Sequence, residues 1–550
     1  MLSTTLLKIK SARAACIPGF ALKSALLCLI FSSGALANID YMQNQSADFF
    51  LTLSRNAATD SADAVNYNPA GTALMKDGLY VQLANQSAFI NYSIKHQGDT
   101  YRSEKPEWLI PNAYVIYKKG KFSVFGGFTI PAGGGTLNYK NGVPMMPIYS
   151  SLVRDEALKE IASTLKAEMW DAVQTTTGTD GDMLRAYISS ENHVSQLVDD
   201  FIDLSSTSVA WEDGSITGSS MYLAGTVGGA YRFNNYVSLS VGLRYMHVVN
   251  SYKGFSRYRV NPGATAANIN YPDGLDPLTL VELVHQQFID QAVDGTDAGD
   301  DNQTGEDAGL NDASDEIVNL QLDATTTADG IGGIVGLDIV PFEDMVIGLR
   351  LETPTFLSFV EDVHDNKDFG GMFVDGRVTS RDLPMLLGVG LSYSPIRYLG
   401  LYTSFNFYFT TLSDRAGDRK DEVISYDDDY GTGIDACVGI EGRIKWFRLG
   451  FGYMYADPMG NSKTYNDLEY ALRSHTIAGG INFTYDFTGH VISTTFSLSK
   501  NFFEKGKSES GDETFNKDIW TFAIGLEYRY HGFSQPDTGA AGKLPMTLKQ

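Results

Sequence analysis

Few side chains in this sequence stand where they could do chemistry. Its eight histidines (His96, His193, His247, His285, His364, His475, His490 and His531) fall singly. None belongs to a motif that would pair it with a serine nucleophile or an orienting carboxylate, so no catalytic apparatus is expected. What remains is anion recognition. Arg244, Arg350, Arg448 and Arg529 each occupy the small or polar face of an alternating run, close to acids such as Glu352 and Glu527. A guanidinium so placed either holds an anionic group or pairs with those acids, and pairing is the ordinary outcome. Asp297, Asp300, Asp301, Glu306 and Asp307 lie in an acidic Gly/Asn-rich stretch but do not follow the EF-hand ligand order. They read as a solvated loop rather than a calcium site. No metal site and no cofactor are expected.

The elements that carry these arginines alternate with period two. In Trp520–Tyr530 the even positions are Trp520, Phe522, Ile524, Leu526, Tyr528 and Tyr530, while the odd ones are Thr521, Ala523, Gly525, Glu527 and Arg529. Val237–Tyr245, Met385–Tyr393, Phe447–Tyr455 and Ile492–Ser499 repeat the pattern. Period two means a strand between two different environments. A soluble sandwich would also alternate. Here, however, the apolar faces end in Tyr, Trp or Phe, as in the aromatic girdles of membrane barrels, and the opposite faces are small and polar, as in a barrel lumen.

The N-terminus reads as an export signal. Lys8, Lys10, Arg13 and Lys23 precede or flank a short apolar core, Ala25–Phe31, and Ala35-Leu36-Ala37 fits a small-x-small cleavage site. Residues 1–37 are therefore expected to be removed. Cys16 and Cys28 leave with them, so only Cys437 stays, and neither a disulfide nor a thiolate metal cluster is possible. The formal charge of -24 argues against nucleic acid as a partner. Beyond the signal no run of 18 apolar residues occurs.

Fourteen strand starts follow from the alternation, near Leu79, Trp108, Phe122, Met221, Val237, Ile317, Val346, Leu383, Leu399, Gly433, Phe447, Ser474, Val491 and Ile519. Connections such as 118–121, 234–235, 342–344, 395–397, 445–446 and 488–489 are tight turns, and those on the other side are long, above all 132–218 and 258–316. Residues 152–173 have helical spacing within the first of these. The fold class expected is all-β: a 14-stranded antiparallel transmembrane β-barrel with long extracellular loops, spanning 78–533 and followed by a tail, 534–550.

A barrel of fourteen strands has a lumen too wide for its own side chains to fill. Residues 38–77 precede the first strand, mix polar, small and apolar residues without alternation, and contain the turn cluster Asn68-Pro69-Ala70-Gly71. They are well placed to be an N-terminal hatch that plugs the lumen. The stretch Ala58–Gln82, "ATDSADAVNYNPAGTALMKDGLYVQ", resembles the hatch of the FadL/TodX family of outer-membrane transporters, with Asn68, Pro69 and Ala70 matching its NPA motif. "VSLSVGLRY" at 237–245 and "IGLRLETPT" at 347–355 resemble its strands.

The resemblance implies a monomeric, hatch-plugged channel for passive uptake of hydrophobic compounds, with long-chain fatty acids first and aromatic hydrocarbons as the alternative. It implies capture by outer loops and lateral release through a gap made by a kink in the third strand. Gly126, Gly127 and Pro131 are candidates for that kink, and the glycine pair could instead clear room for the hatch. Arg244, Arg350, Arg448 and Arg529 become candidate partners for a ligand carboxylate. Lipid, lipopolysaccharide and the barrel-assembly machinery are implied partners, and the Gram-negative outer membrane is the implied location. A general diffusion porin and a surface adhesin are the rival readings. Phe533 is expected to close the last strand, although a further seventeen residues, 534–550, follow it.

Overall fold

In the computed structural model of the chain, residues 45–150 apart from 134 and 149, a few positions between 166 and 196, and residues 208–261, 316–365, 373–412 and 431–532 are described. One antiparallel sheet dominates. Its segments are β1 (Gly78–His96), β2 (Asp99–Lys119), β3 (Phe122–Thr129), β4 (Gly135–Tyr139), β5 (Ser208–Arg232), β6 (Val237–Asn261), β7 (Glu316–Phe342), β8 (Met345–Glu352) and β9 (Ser358–Asp365). They continue as β10 (Val378–Ser380), β11 (Met385–Ile396), β12 (Leu399–Phe409), β13 (Gly433–Ile444), β14 (Phe447–Asp457), β15 (Ser474–Phe487), β16 (His490–Phe503), β17 (Gly506–Lys507) and β18 (Glu513–Tyr530). Segments β3/β4, β8/β9, β10/β11 and β16/β17 each form one interrupted wall strand, which makes fourteen in all. The last strand pairs with the first from Leu79↔Tyr530 to His96↔Glu513, so the sheet closes on itself.

Closure turns the alternation into an inside and an outside. On β18, Trp520, Phe522, Ile524, Leu526 and Tyr528 face out, while Thr521, Ala523 and Glu527 are buried in the lumen. On β6, Leu239, Val241, Leu243 and Tyr245 face out, and Ser238, Ser240 and Arg244 face in. A closed barrel leaves no edge and pairs its backbone within the sheet, which is what hydrocarbon requires.

Several strands run further than the apolar alternation does. β2 begins at Asp99 rather than near Trp108, and β5 at Ser208 rather than near Met221. The segment read as a connection from 132 to 218 therefore contains β4 and the start of β5. In these upper ends the outward face turns polar while the inward face stays packed with Tyr101, Ile216, Tyr252 and Tyr258: outside, Arg257 pairs with Asp213, and Lys253 holds Asp323 at 2.8 Å. The outward apolar face is absent where a strand has left the lipid, so the sequence pattern ends there while the ladder continues. The helix expected over 152–173 lies almost wholly outside the described residues. The acidic stretch 297–307, residues 1–37, Phe533 and the tail 534–550 lie outside them entirely. The last strand ends at Tyr530.

Inside the wall sits the segment before Gly78. It folds as α1 (Phe49–Thr52), α2 (Ala64–Tyr67) and a 3-10 turn, Pro69–Leu74. Asn68 caps that turn by accepting from the Ala70 amide, and Pro69 fills the first position, where a missing N–H costs nothing. The Asn68 amide donates to Asp338 Oδ1 on β7 at 2.7 Å and to the Asn56 carbonyl at 3.2 Å. The Ala70 carbonyl accepts from Ser238 on β6 at 3.0 Å. Two wall glycines make this docking possible. A methyl group on Gly336 would overlap Asn68 Oδ1, and one on Gly348 would overlap the Asn56 carbonyl. The Asn-Pro-Ala-Gly cluster is thus a helix cap and a docking foot in one.

Candidate functional site: a cavity above the hatch and a break in the wall

The hatch is bolted to the wall around the barrel. Thr72 meets Ser123 on β3 at 2.6 Å, Ser54 meets Ser404 on β12 at 2.6 Å, and Thr495 on β16 donates to Asp48 at 2.7 Å. The Ala62 amide donates to Glu527 on β18 at 3.0 Å. An ionic chain runs through its centre. Arg55 grips Asp63 at 2.5 Å and Asp60 at 2.8 Å, and Asp60 reaches Arg448 on β14 at 2.8 Å. Burial alone would raise the Asp60 pKa. The guanidiniums of Arg55 and Arg448 instead hold it well below the usual carboxylate range.

Above this floor is a cavity of about 100 Å³. Phe49, Phe50, Leu53 and Tyr67 of the hatch line it from below, with Phe49 stacked on Tyr67 at 5.5 Å. Leu386, Met454 and Phe503 line it from the wall, and Leu472 comes from the β14–β15 connection. Its polar groups include Arg350, Asn406, Tyr408 and Asp435. Tyr408 donates to Asp435 Oδ2 at 2.7 Å, and Asn406 donates to the same oxygen at 3.4 Å.

A cap closes the outer side. The connection 458–473 dips into the barrel mouth and buries Leu468, Tyr470, Ala471 and Leu472. Tyr470 packs on Phe515 at 4.8 Å, and its hydroxyl meets that of Tyr139 at 3.2 Å. Glu469 is paired with Arg381, both deeply buried, and Asp467 accepts from the Met145 amide at 2.8 Å. Burial, reinforced by the charge of Glu513, pushes Asp467 up to about 8.

The wall is broken between β2 and the third strand, neither of which lines the cavity. β2 pairs with β3 only from Ala113↔Phe128 to Lys119↔Phe122, and with β4 only at Ser103↔Tyr139. Among the described residues, Glu104 to Asn112 have no ladder partner on the third strand. Two side chains bridge part of the interval: Glu107 accepts from the Thr136 amide at 2.8 Å, and Ser103 from the Asn138 amide at 2.7 Å. The exposed Trp108 and Leu109 lie in this interval.

The residues singled out from the sequence divide between these features. Gly126 and Gly127 lie in the regular part of β3, opposite Val115 and Tyr114. A methyl group on Gly127 would press on Tyr114 and on Val65 of α2, so this glycine clears room for the hatch; Gly126 meets nothing closer than 3.5 Å. The chain leaves the ladder after Thr129, and Pro131 lies in that interruption with Gly133, whose φ is +97°. The break is therefore offset from the glycine pair. All four arginines are in the lumen, and each has an acid. Arg244 pairs with Glu352 at 2.9 Å, Arg350 takes the other oxygen of Glu352, Arg448 takes Asp60, and Arg529 pairs with Glu527. Of the four, only Arg350 lines the cavity. Sequence reading missed Asn406, Tyr408, Asp435 and the cap. The signal available for the wall break was Pro106 and Pro111 within β2, since proline in a strand marks an edge or a bulge.

No family model and no curated protein matches this sequence. Among solved structures, a FadL homologue from Pseudomonas aeruginosa superposes with a TM-score of 0.51 at 11% identity, covering 90% of this chain and all of that one. The Ralstonia pickettii toluene transporter TbuX gives 0.48 at 15% identity, covering 89% and 99% of the two chains. The Pseudomonas putida toluene transporter TodX gives 0.47 at 12%, covering 90% and 100%. This chain has the fold of the FadL homologue: a 14-stranded antiparallel barrel.

Proposed function

We propose that this protein is a FadL/TodX-type channel of the Gram-negative outer membrane that takes up small hydrophobic compounds by passive transport, with no catalytic step. The observation that carries the reading is a cavity lined largely by apolar side chains over an N-terminal segment bonded to the wall, in a barrel whose wall is broken elsewhere at Glu104–Asn112. Such a compound gains about 0.8 kcal/mol for each CH₂ removed from water. A sideways exit into lipid keeps that gain, whereas a wet axial exit loses it. In this reading the ligand passes the cap at 458–473, occupies the cavity, and leaves between β2 and the third strand. The fold shared with the FadL homologue supports the location and the transport class.

Of the two ligand classes, compact aromatic molecules fit better than long-chain fatty acids. The cavity, at about 100 Å³, is of the order of the roughly 150 Å³ void that takes one benzene in an engineered core. The two arginines lining it, Arg350 and Arg55, are already paired with Glu352 and with Asp60 and Asp63, so a fatty carboxylate would compete with existing ion pairs. Arg244, Arg448 and Arg529 are likewise engaged with acids and are not proposed as ligand contacts.

The test is uptake by a Gram-negative host without hydrophobic-compound channels of its own, comparing labelled toluene with labelled palmitate at equal surface levels of the protein. Toluene uptake above the empty-vector control, with little palmitate uptake, is expected. Palmitate uptake alone restores the fatty-acid reading. Uptake of neither, with free passage of small ions, makes the protein a porin.

A further inference from the structure

The cavity contains a polar group that a pure hydrocarbon would leave unmet. Asp435 lies on the lumen face of β13, and its Oδ2 takes both the Tyr408 hydroxyl and the Asn406 amide. Its Oδ1 accepts from no group among the described residues, and no cation pairs with it there. The surrounding polar groups are differently placed. Asn406 Oδ1 takes the Asn56 amide at 2.8 Å, and Gln86 Oε1 takes the Gln45 backbone amide at 2.9 Å. Ser404 is engaged with Ser54, and Asp457 holds Arg473 at 2.7 Å. Asp435 is thus the one carboxylate lining the cavity with a free oxygen and no ion pair among the described residues.

This inventory discriminates between ligands. A hydrocarbon filling the cavity removes water from Oδ1 and gives it no donor, which costs the full desolvation of that oxygen. A carboxylate brings a second negative charge into the same small space, where Arg350 is ion-paired with Glu352 and Arg55 with Asp63, and of their buried nitrogens only the Arg350 Nε is left without a partner among the described residues. An uncharged hydroxyl donates one hydrogen bond and brings no charge. A single aromatic ring suits the remaining surface, since Phe49, Phe50, Tyr67 and Phe503 supply ring faces and edges.

We propose that the cavity selects phenols: compact, uncharged aromatic molecules whose hydroxyl donates to Asp435 while the ring packs on Phe49, Phe50 and Phe503. The inference rests on the transporter reading above and names its substrate class. It follows the same logic by which a site built to hydrogen-bond a hydroxyl rejects the analogue that lacks it.

The experiment uses three probes of one shape, p-cresol, toluene and p-toluate, with the full-length protein at matched surface levels. In the wild type p-cresol should enter about tenfold faster than toluene, the lower end for one hydrogen bond to a charged group, and p-toluate should enter slowest. Asp435→Asn should bring the p-cresol/toluene ratio toward one, and Asp435→Glu should restore part of it. If the variants fail to reach the surface, the wild-type ratios alone decide. Equal entry of p-cresol and toluene overturns the phenol assignment and leaves the transporter reading standing. Fastest entry of p-toluate overturns it in favour of anion recognition. Entry of none of the three above the empty-vector control removes the transporter reading, and the inference with it.

Discussion

Of the four interrupted wall strands, the third and the seventh are built oppositely. In the seventh, residues 353–357 turn inward between β8 and β9, and the lost ladder bonds are remade nearby. The Thr353 amide donates to the Gly333 carbonyl at 3.0 Å, Thr355 forms a two-way bridge with Leu383, and the Leu357 amide donates to Asp382 at 2.9 Å. Thr355 and Leu357 fill the space over Gly330. In the third strand, among the described residues, the interrupted part facing β2 retains only the two amide bonds to Glu107 and Ser103 and a single ladder pair. One strand is folded inward and sealed; the other is parted from its neighbour. An irregular strand therefore becomes an opening only when its backbone groups are not taken up by another part of the wall. Unpaired backbone is tolerated at membrane depth only where it is buried in protein or faces water, so the parted interval is the place where the proposed lateral exit would lie.

A pair of cysteine locks tests this contrast most strongly. A side chain on Gly135 would lie against Glu107, and one on Gly330 against Thr355. Oxidation of the Glu107→Cys/Gly135→Cys protein should reduce uptake at least tenfold, with recovery on adding reductant. The Gly330→Cys/Thr355→Cys lock should leave uptake within about twofold of the wild type. Equal inhibition by both locks would show that the seventh-strand fold moves during transport and would erase the distinction.

The second test asks whether the hatch seals the axis while the wall stays parted. Gly348→Val drives a branched side chain into the Asn56 carbonyl, and Gly127→Val presses on Val65. Overpacking of this kind costs about 1–3 kcal/mol. Gly348→Val should give steady small-ion conductance in planar bilayers where the wild type is closed, with Gly127→Val giving less. A silent Gly348→Val channel, correctly inserted, would mean that the hatch is not the axial seal.

The smallest effect concerns the cap. Asp467 has its pKa raised to about 8 by burial and by Glu513. Its protonated form therefore favours the docked cap. That contribution is fully present below the ordinary carboxylate value of about 4 and is lost as pH rises through about 8. Amide exchange at 468–472 should quicken across this window, and Asp467→Asn should flatten the dependence. A wild-type profile independent of pH would remove Asp467 from the cap's energetics.

The wall was legible because lipid imposes a two-residue rhythm. Trp520–Tyr528 and Leu239–Tyr245 point outward as their alternation requires, and Gly78 begins β1 where the hatch segment was expected to end. The rhythm fails where the physics changes. In Ser208–Ser220 the strand continues without a run of outward apolar residues, and its buried apolar contacts are limited to Ile216 and Trp211. In the hatch, successive residues touch its own core and the wall in turn, so "SADFFLTL" has no period although almost all of it is buried. The cavity depends on residues distant in sequence, from Phe49 to Phe503. No local spacing announces that Asp435 lies across from Phe50, whereas the pairing of the lumen arginines was expected from Glu352 and Glu527 alone.

The closing seam carries a consequence for biogenesis. β1 and β18 meet over their whole length, and the Asp77 carbonyl accepts from His531 at 2.9 Å at the rim where the hatch enters. The segment synthesised first is therefore enclosed by the strand synthesised last. Glu527 and Arg529 on β18 and Thr495 and Ser497 on β16 are late-made groups, and Ala62, Asp48 and Ala47 of the hatch are the early-made partners of three of them. A nascent chain that zips its seam around an empty lumen strands those groups in an unfilled pore. Those static bonds make the N-terminal segment, if it is in place before the seam closes, the surface against which the final strands would be cast.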